Sequence, residues 1–177
     1  ADAKSMGHGK ILPPGTSALT VIGAYFRHMC ERLAARLRKH HCKAQHFFIG
    51  MRVRSMGWLG GKYHSLLPTN DGQAIYRLCC LCMEENGKGY EVLQVQVSAL
   101  SLDHNGSQMD LFNQESSQKK ALNTTVDQVN QRFGSHALRP AHGLLAGVIK
   151  CVIAPSWQPS GPRQSIEQSA GQWIKKD

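Results

Sequence analysis

Apolar and polar residues alternate along four stretches of the chain, and this alternation predicts four β-strands. In KAQHFFIGMRVR, the apolar Phe47, Ile49 and Met51 fall on one face, and Arg52 and Arg54 fall on the other. In YEVLQVQVSAL, apolar residues alternate with glutamine and serine in the same way. The predicted strands are residues 4–12, 43–54, 62–67 and 90–100.

Three other stretches place apolar residues three and four positions apart, which is the spacing of an amphipathic helix. The first lies within residues 22–37 and the second within residues 75–83, where the preceding Thr-Asn-Asp sequence offers an N-cap. The third, residues 116–133, has few core positions. The glycine-rich residues 57–61 predict a turn between the second and third strands.

The order strand, helix, strand, strand, helix, strand predicts an α+β fold of ferredoxin-like βαββαβ topology, a four-stranded sheet with two helices on one face. We assign this domain to residues 1–102. A polar linker follows at residues 103–115, then a C-terminal helix within residues 116–140 and an irregular or disordered tail at residues 141–177. Because the chain begins without methionine and almost directly in a strand, we expect a fragment of a longer protein.

Basic residues exceed acidic residues by 21 to 12, a net charge of +9 that points to a polyanionic partner. Residues 1–102 hold 13 basic and 6 acidic side chains, and therefore most of the excess. We expect the sheet face away from the helices to carry basic and amide groups, which suit the backbone of duplex DNA, and few aromatic rings beyond Phe48 and Tyr63. The predicted DNA-binding residues are Lys4, His8, Lys10, His46, Arg52, Arg54, Lys62, Gln94 and Gln96.

Other classes of function find little support in the sequence. There is no apolar run of about eighteen residues and no signal-peptide pattern, so we expect no membrane span and a cytoplasmic protein. Cys79 and Cys82 form a C-x-x-C, but no second pair follows at zinc-binding spacing, so we expect them to pack in the core. A thiol or metal protein that uses Cys79, Cys80 and Cys82 is an alternative. The carboxylates of residues 1–102 are scattered, so no catalytic residue is predicted.

The pentapeptide QMDLF at residues 108–112 places two apolar residues behind a glutamine in an otherwise polar stretch. Such a peptide is typical of a short linear motif that binds a pocket on a partner. The alternative is that Leu111 and Phe112 cover an apolar edge of their own domain. Gln108, Leu111 and Phe112 are the candidate partner-binding residues.

These segments also carry a family resemblance. The opening KSMGHGKILPPGT resembles the first strand of the little-finger domain of Y-family translesion DNA polymerases, and HMCERLAARLRKHHCKAQHFFIGMR is similar to the helix and strand that follow there. EVLQVQVSAL with QMDLF, and then KKALNTTVDQVNQRFGSHALRP, resembles the C-terminal end of many bacterial members. The resemblance covers roughly residues 4–140.

The resemblance implies a sheet that lies in the major groove beside primer-template DNA. It also implies that Gln108, Leu111 and Phe112 bind the bacterial sliding clamp. The catalytic carboxylates and their Mg²⁺ would then belong to a palm domain outside this sequence, so no cofactor is expected in this fragment. The expected location is the bacterial cytoplasm, in association with the nucleoid.

An RNA-binding module of the same topology is the rival interpretation. FFIGMR, residues 47–52, resembles the shorter RNA-contact motif of RNA-recognition domains. It lies on the second predicted strand rather than the first, and no strand carries the longer aromatic motif expected beside it. A comparison of single-stranded RNA with primer-template DNA separates the two interpretations.

Overall fold

The computed structural model of the chain describes residues 4–86, 89–104, 117–134 and 136–146. The order of strands and helices is the predicted one, and a short 3-10 helix that the sequence did not predict follows at Ala141–Ala146. The other elements are β1 (Ser5–Ile11), α1 (Leu19–Lys39), β2 (Ala44–Val53), β3 (Gly57–Thr69), α2 (Gly72–Asn86), β4 (Val92–Leu100) and α3 (Ser117–Phe133).

The four strands form one antiparallel sheet in the order β1-β4-β2-β3, which confirms the predicted α+β fold. In the two central strands, Phe47 lies opposite Ala99 and Ile49 lies opposite Val97. All four side chains are fully buried because they face the helices. The strict alternation of the sequence therefore sets which sheet face becomes the core.

Helices α1 and α2 cover that face of the sheet and pack against each other. Phe26 and Leu33 of α1 are fully buried, as are Cys79 and Cys82 of α2, so the predicted core packing of these two cysteines is confirmed. The Sγ atoms of Cys30 and Cys79 lie 3.4 Å apart between the helices. Burial raises the pKa of the Cys79 thiol well above its usual value, so this thiol stays protonated.

The glycine-rich residues 57–61 are not a turn, and that prediction is wrong. They form the first part of β3, which pairs with β2 from Gly57 onward. Gly60 has a φ of +116°, and a Cβ atom there would lie 2.3 Å from the carbonyl oxygen of Ile49. Glycine is thus required at this position by the close approach of the two strand backbones.

Helix α3 is held mainly by polar contacts, since none of its residues is buried. Asp71 is one of the three residues predicted as the N-cap of α2, and it accepts a hydrogen bond from the Ala74 amide at 2.9 Å. It also accepts from Lys119 Nζ at 2.8 Å and from Asn123 Nδ2 at 3.2 Å. Burial alone would raise the pKa of Asp71, but hydrogen bonds from Lys119, Asn123 and the Ala74 amide lower it below its usual value. One carboxylate therefore serves both α2 and α3.

The segment with the QMDLF peptide, residues 105–116, lies outside the described residues, but its two flanks are well defined. Before it, Lys43 and Asp103 exchange two backbone hydrogen bonds of 2.9 Å that continue the β2-β4 register. After it, Lys119 forms the ion pair with Asp71. Both flanks are attached to the domain.

The 3-10 helix packs beside α1 and α2, at the start of the segment that we expected to be irregular. Tyr76 Oη and His142 Nε2 lie 3.1 Å apart. A Cβ atom on Gly23 would lie 3.0 Å from Tyr76 Oη and 3.4 Å from His142 Nε2, so glycine lets both groups approach α1. Residues 147–177 lie outside the described part of the chain. None of the described helices combines the length and apolarity that crossing a bilayer requires.

Candidate nucleic-acid interface

The sheet face opposite the helices, here called the open face, consists of four rows of side chains. Each row crosses the sheet in the order β1, β4, β2, β3, because the antiparallel strands pair in register. No acidic residue occurs in any of the rows. The rows are Ser5-Leu100-His46-His64, Gly7-Ser98-Phe48-Lys62, Gly9-Gln96-Gly50-Gly60 and Ile11-Gln94-Arg52-Trp58.

Five of the predicted DNA-binding residues lie on this face. His46, Arg52 and Lys62 are exposed on β2 and β3, and Gln94 and Gln96 are partly exposed on β4. The Gln96 Nε2 group donates to Ser98 Oγ at 3.2 Å. The open face therefore presents two cations, two amides and an imidazole to solvent.

The prediction that His8 and Lys10 lie on the open face is wrong. They pair with Val97 and Val95, whose side chains are buried against the helices. Met6 shares their side of β1 and is buried, as expected for the helix side. Burial, with the Arg32 and Arg36 charges, lowers the pKa of His8 to about 4.

The other two predicted residues lie beyond the ends of their strands. Arg54 follows β2 and donates to both carboxylate oxygens of Glu91, at 2.9 and 3.2 Å. That bond and the one from the Gly15 amide lower the pKa of Glu91. The charge of Arg54 is thus balanced locally. Lys4 precedes β1 and is exposed.

The open face also carries an aromatic pair, formed by the expected Phe48 and by Trp58, which was not predicted. The rings of Phe48 and Trp58 lie 6.5 Å apart at 63°, and Trp58 is 45% exposed. They lean over Gly50, where a Cβ atom would lie 3.1 Å from Trp58 and 3.2 Å from Phe48. Tyr63, by contrast, faces the helices and donates to Glu85 Oε2 at 2.6 Å.

His64 was also missed, although it lies in the predicted strand 62–67, two residues after Lys62. His64 and Trp58 both lie on β3, where Trp58, Gly60, Lys62 and His64 alternate on the open face. The rings of His64 and His46 lie 6.5 Å apart across the two strands. Continuing the alternation of residues 62–67 back through the glycines would have placed Trp58 on this face.

The open face has the chemical groups of a binding surface. Among the described residues, no group of three or more His, Cys, Asp or Glu side chains is placed to hold a metal ion. The open face offers hydrogen-bond donors, positive charge and exposed ring surface. These groups fit a phosphate backbone and its sugars.

Residues 3–111 match the impB/mucB/samB family C-terminal domain. The chain belongs to this family. It carries the little-finger domain of a Y-family DNA polymerase, so the family resemblance of its segments is confirmed.

Two curated relatives extend the comparison. The chain is 27% identical over 139 residues to the putative UV-damage repair protein UvrX of Bacillus subtilis (strain 168), covering 76% of this chain and 33% of the relative. It is 25% identical over 150 residues to DNA polymerase IV of Pelotomaculum thermopropionicum, covering 83% and 37%. The chain thus spans about a third of the length of these relatives.

A chain in a solved complex of the beta-clamp processivity factor and the little finger domain of PolIV is also similar. The sequence identity is 11% and the TM-score is 0.46. The similarity covers 59% of this chain and 94% of that chain.

Proposed function

We propose that the open face binds the backbone of primer-template duplex DNA without regard to sequence, and that QMDLF tethers the domain to a sliding clamp. The observation that carries the DNA proposal is the open face itself, which combines Arg52 and Lys62 with two glutamines and no acidic residue. Membership of the little-finger family supports the same proposal.

Each group on the face has a physical role in such binding. Arg52 and Lys62 neutralise phosphates and release counterions, which makes the affinity depend on salt. The amides of Gln94 and Gln96 position the backbone without reading bases.

The DNA proposal is tested by Arg52→Gln combined with Lys62→Gln. We expect weaker duplex binding and a slope of log K against log salt that is smaller by about 2, since each phosphate contact contributes about 0.9. Arg77→Gln with Lys120→Gln is the matched control, because these exposed cations lie on α2 and α3. Equal losses in the two double variants would contradict a site on the open face.

Sequence independence is tested with two unrelated duplexes of equal length. Backbone contacts predict affinities within a few-fold of each other, because phosphates carry no sequence information. A difference of about a hundredfold would instead indicate direct reading of base edges.

The clamp tether would raise the local concentration of the polymerase at the primer end, so weak DNA contacts would suffice. Leu111→Ala with Phe112→Ala should abolish binding to a sliding clamp and leave duplex affinity nearly unchanged. Met109→Ala with Asp110→Ala, at the intervening positions, is the control that should retain clamp binding. Loss of both activities in the first double variant would contradict two separate sites.

Nucleotide transfer and its Mg²⁺ would reside in a palm domain outside this sequence. In that arrangement this domain would bind and position the DNA and would supply none of the reacting groups. A recombinant protein limited to this chain should therefore bind primer-template DNA and extend no primer, whatever divalent metal is supplied.

The Phe48-Trp58 pair supports a second candidate, an RNA-binding module. Modules of this topology stack unpaired bases on aromatic rings of the open sheet face. Under this alternative, single-stranded RNA would bind more tightly than primer-template DNA at equal salt. The reverse order supports the DNA proposal.

A further inference from the structure

A second group of basic side chains lies on the helix side of the sheet, along the β1 edge. Two residues of β1 and two of α1 form this group, here called the helix-side patch: His8, Lys10, Arg32 and Arg36. Arg32 and Arg36 lie one helical turn apart, and their charges reach His8. His28, one turn before Arg32, is buried and completes the stripe on α1.

The charged groups that act on the two imidazoles, His8 and His28, are all basic. His8 is affected by Arg32 and Arg36, and the groups that act on His28 are His136, Arg32, Arg139 and Lys10. No carboxylate is among them. Elsewhere on α1 the situation differs, since Arg27 pairs with Glu31 at 2.9 Å and Arg38 pairs with Asp127 at 2.6 Å.

Arg32 and Arg36 therefore differ from the other arginines of their helix. In the described part of the chain, neither takes part in a salt bridge or a side-chain hydrogen bond. Like charges held together raise the free energy of the domain. Burial and these charges lower the pKa of His8 to about 4 and of His28 to about 3, so both imidazoles stay neutral near pH 7. An anion on the patch would relieve this repulsion.

We propose that the helix-side patch binds successive phosphates of a single DNA strand. Arg32 and Arg36 are about 6 Å apart along the helix axis, which is comparable with the separation of neighbouring phosphates in one strand. Both side chains are partly exposed, and Lys10 adds a third cation from β1. A single strand can follow such a line of charges.

The choice of a single strand rests on the proposed function. The patch and the open face lie on opposite sides of the sheet and meet at the β1 edge. A duplex on the open face resists bending around that edge, because its persistence length is about 50 nm. An unpaired strand that continues from the duplex is flexible enough to do so.

The proposal is tested by Arg32→Gln with Arg36→Gln, using fluorescent oligo(dT) and a blunt duplex in a salt series. We expect about tenfold weaker oligo(dT) binding and a salt slope smaller by about 1.4, at about 0.7 per phosphate contact. Duplex binding should change no more than in Arg77→Gln with Lys120→Gln, which removes the same charge elsewhere. The proposal would be overturned if Arg32→Gln with Arg36→Gln bound oligo(dT) with the same affinity as the control variant.

Two further outcomes would also overturn it. An equal loss of duplex binding would assign the patch to duplex DNA. A loss of polyglutamate binding without loss of oligo(dT) binding would identify an acidic protein segment as the partner. The failure of the open-face proposal is read separately, from the Arg52→Gln and Lys62→Gln variant, whose duplex affinity would then be unchanged.

A measurement on the unaltered chain avoids any effect of substitution on folding. Saturating oligo(dT) should raise the pKa of His8 above about 4, as followed by the imidazole proton resonances, because bound phosphate offsets the charges of Arg32 and Arg36. An unchanged pKa would count against the patch. Arg32→Lys with Arg36→Lys, which keeps both charges, should retain most oligo(dT) affinity.

Discussion

Arg38 holds Asp127 through two parallel hydrogen bonds, from Nε to Oδ2 at 2.6 Å and from Nη2 to Oδ1 at 2.7 Å. Its Nη1 group also donates to the Asn70 carbonyl oxygen at 2.9 Å. The Arg38 guanidinium therefore connects α1 to α3 and to Asn70, which lies just before α2. Because α3 buries no residue, this contact and the Lys119-Asp71 pair are central to its attachment.

Asp127→Ala should release α3 while leaving the core intact. The ion pair is partly exposed, so we expect a loss of about 1 kcal/mol or less in the free energy of unfolding. Hydrogen exchange of the α3 amides should accelerate by about tenfold, as in local opening of a weakly packed helix. Gln128→Ala, at an exposed neighbouring position, is the control. Unchanged protection of α3 would show that other contacts hold it.

Gly60→Ala and Gly61→Ala should have very different effects although the residues are adjacent. A Cβ atom at Gly60 meets the Ile49 carbonyl oxygen at 2.3 Å, whereas at Gly61 it meets nothing within 4 Å. We expect Gly60→Ala to lower the free energy of unfolding by about 2 to 4 kcal/mol. Gly61→Ala should change it by about 0.5 kcal/mol or less. Urea denaturation compares the two, and similar losses would contradict the close strand approach.

Trp58→Ala should weaken duplex binding without changing its salt dependence. The indole carries no charge, so its loss removes contact area and not counterion release, at a cost of about 1 kcal/mol. Phe133→Ala removes an exposed ring from α3 and serves as the control. Anisotropy titrations at several salt concentrations measure both quantities. Unaltered affinity would exclude a role of the aromatic pair in DNA binding.

Stability should fall as the pH is lowered from 7 to 5. His8 and His28 have folded-state pKa values of about 4 and 3, below the ordinary 6.5, so the unfolded chain binds protons first. The two histidines make their full contribution to the free energy of unfolding above about pH 6.5, and this contribution is lost as the pH falls toward 4. We expect a loss of up to about 2 kcal/mol per histidine between pH 7 and pH 5. Burial raises the pKa of Glu31, which opposes part of this change.

Two histidine variants check this assignment by urea denaturation at pH 7 and pH 5. His8→Gln should remove about half of the pH dependence, since it removes one of the two imidazoles. His64→Gln removes an exposed imidazole from the open face and is the matched control. Equal pH dependence in the two variants would assign the effect to other groups. Asp71 does not contribute to this pH dependence, because its pKa is lowered from 3.8 and the measurement extends only down to pH 5.

The core was predictable where apolar residues repeat strictly. In β2, Phe47, Ile49 and Met51 alternate with polar residues, and their burial confirms the predicted face. In β1 the side chains at Gly7 and Gly9 are absent, so the pattern contains little information about which face is buried. Met6 shares a face with His8 and Lys10, and its burial shows that this face meets the helices.

The candidate site was predictable only in part, because a glycine-rich stretch is compatible with a turn and also with a strand whose backbone lies close to its neighbour. Glycines at 57, 60 and 61 indicate a turn by composition, yet they lie in β3, where Gly60 permits a close approach of backbones. That error concealed Trp58. The position of α3 depends on pairs such as Arg38 with Asp127, which are 89 residues apart and leave no local signal.

The two attachments beside residues 105–116 have a mechanical consequence. The Lys43-Asp103 bridge fastens one flank to the sheet, and the Lys119-Asp71 pair fastens the other to the start of α2. A partner that binds the intervening peptide would be connected to the domain at two separate points rather than one. Two points of attachment restrict rotation of the domain relative to the partner, so binding would also fix the direction in which the sheet faces.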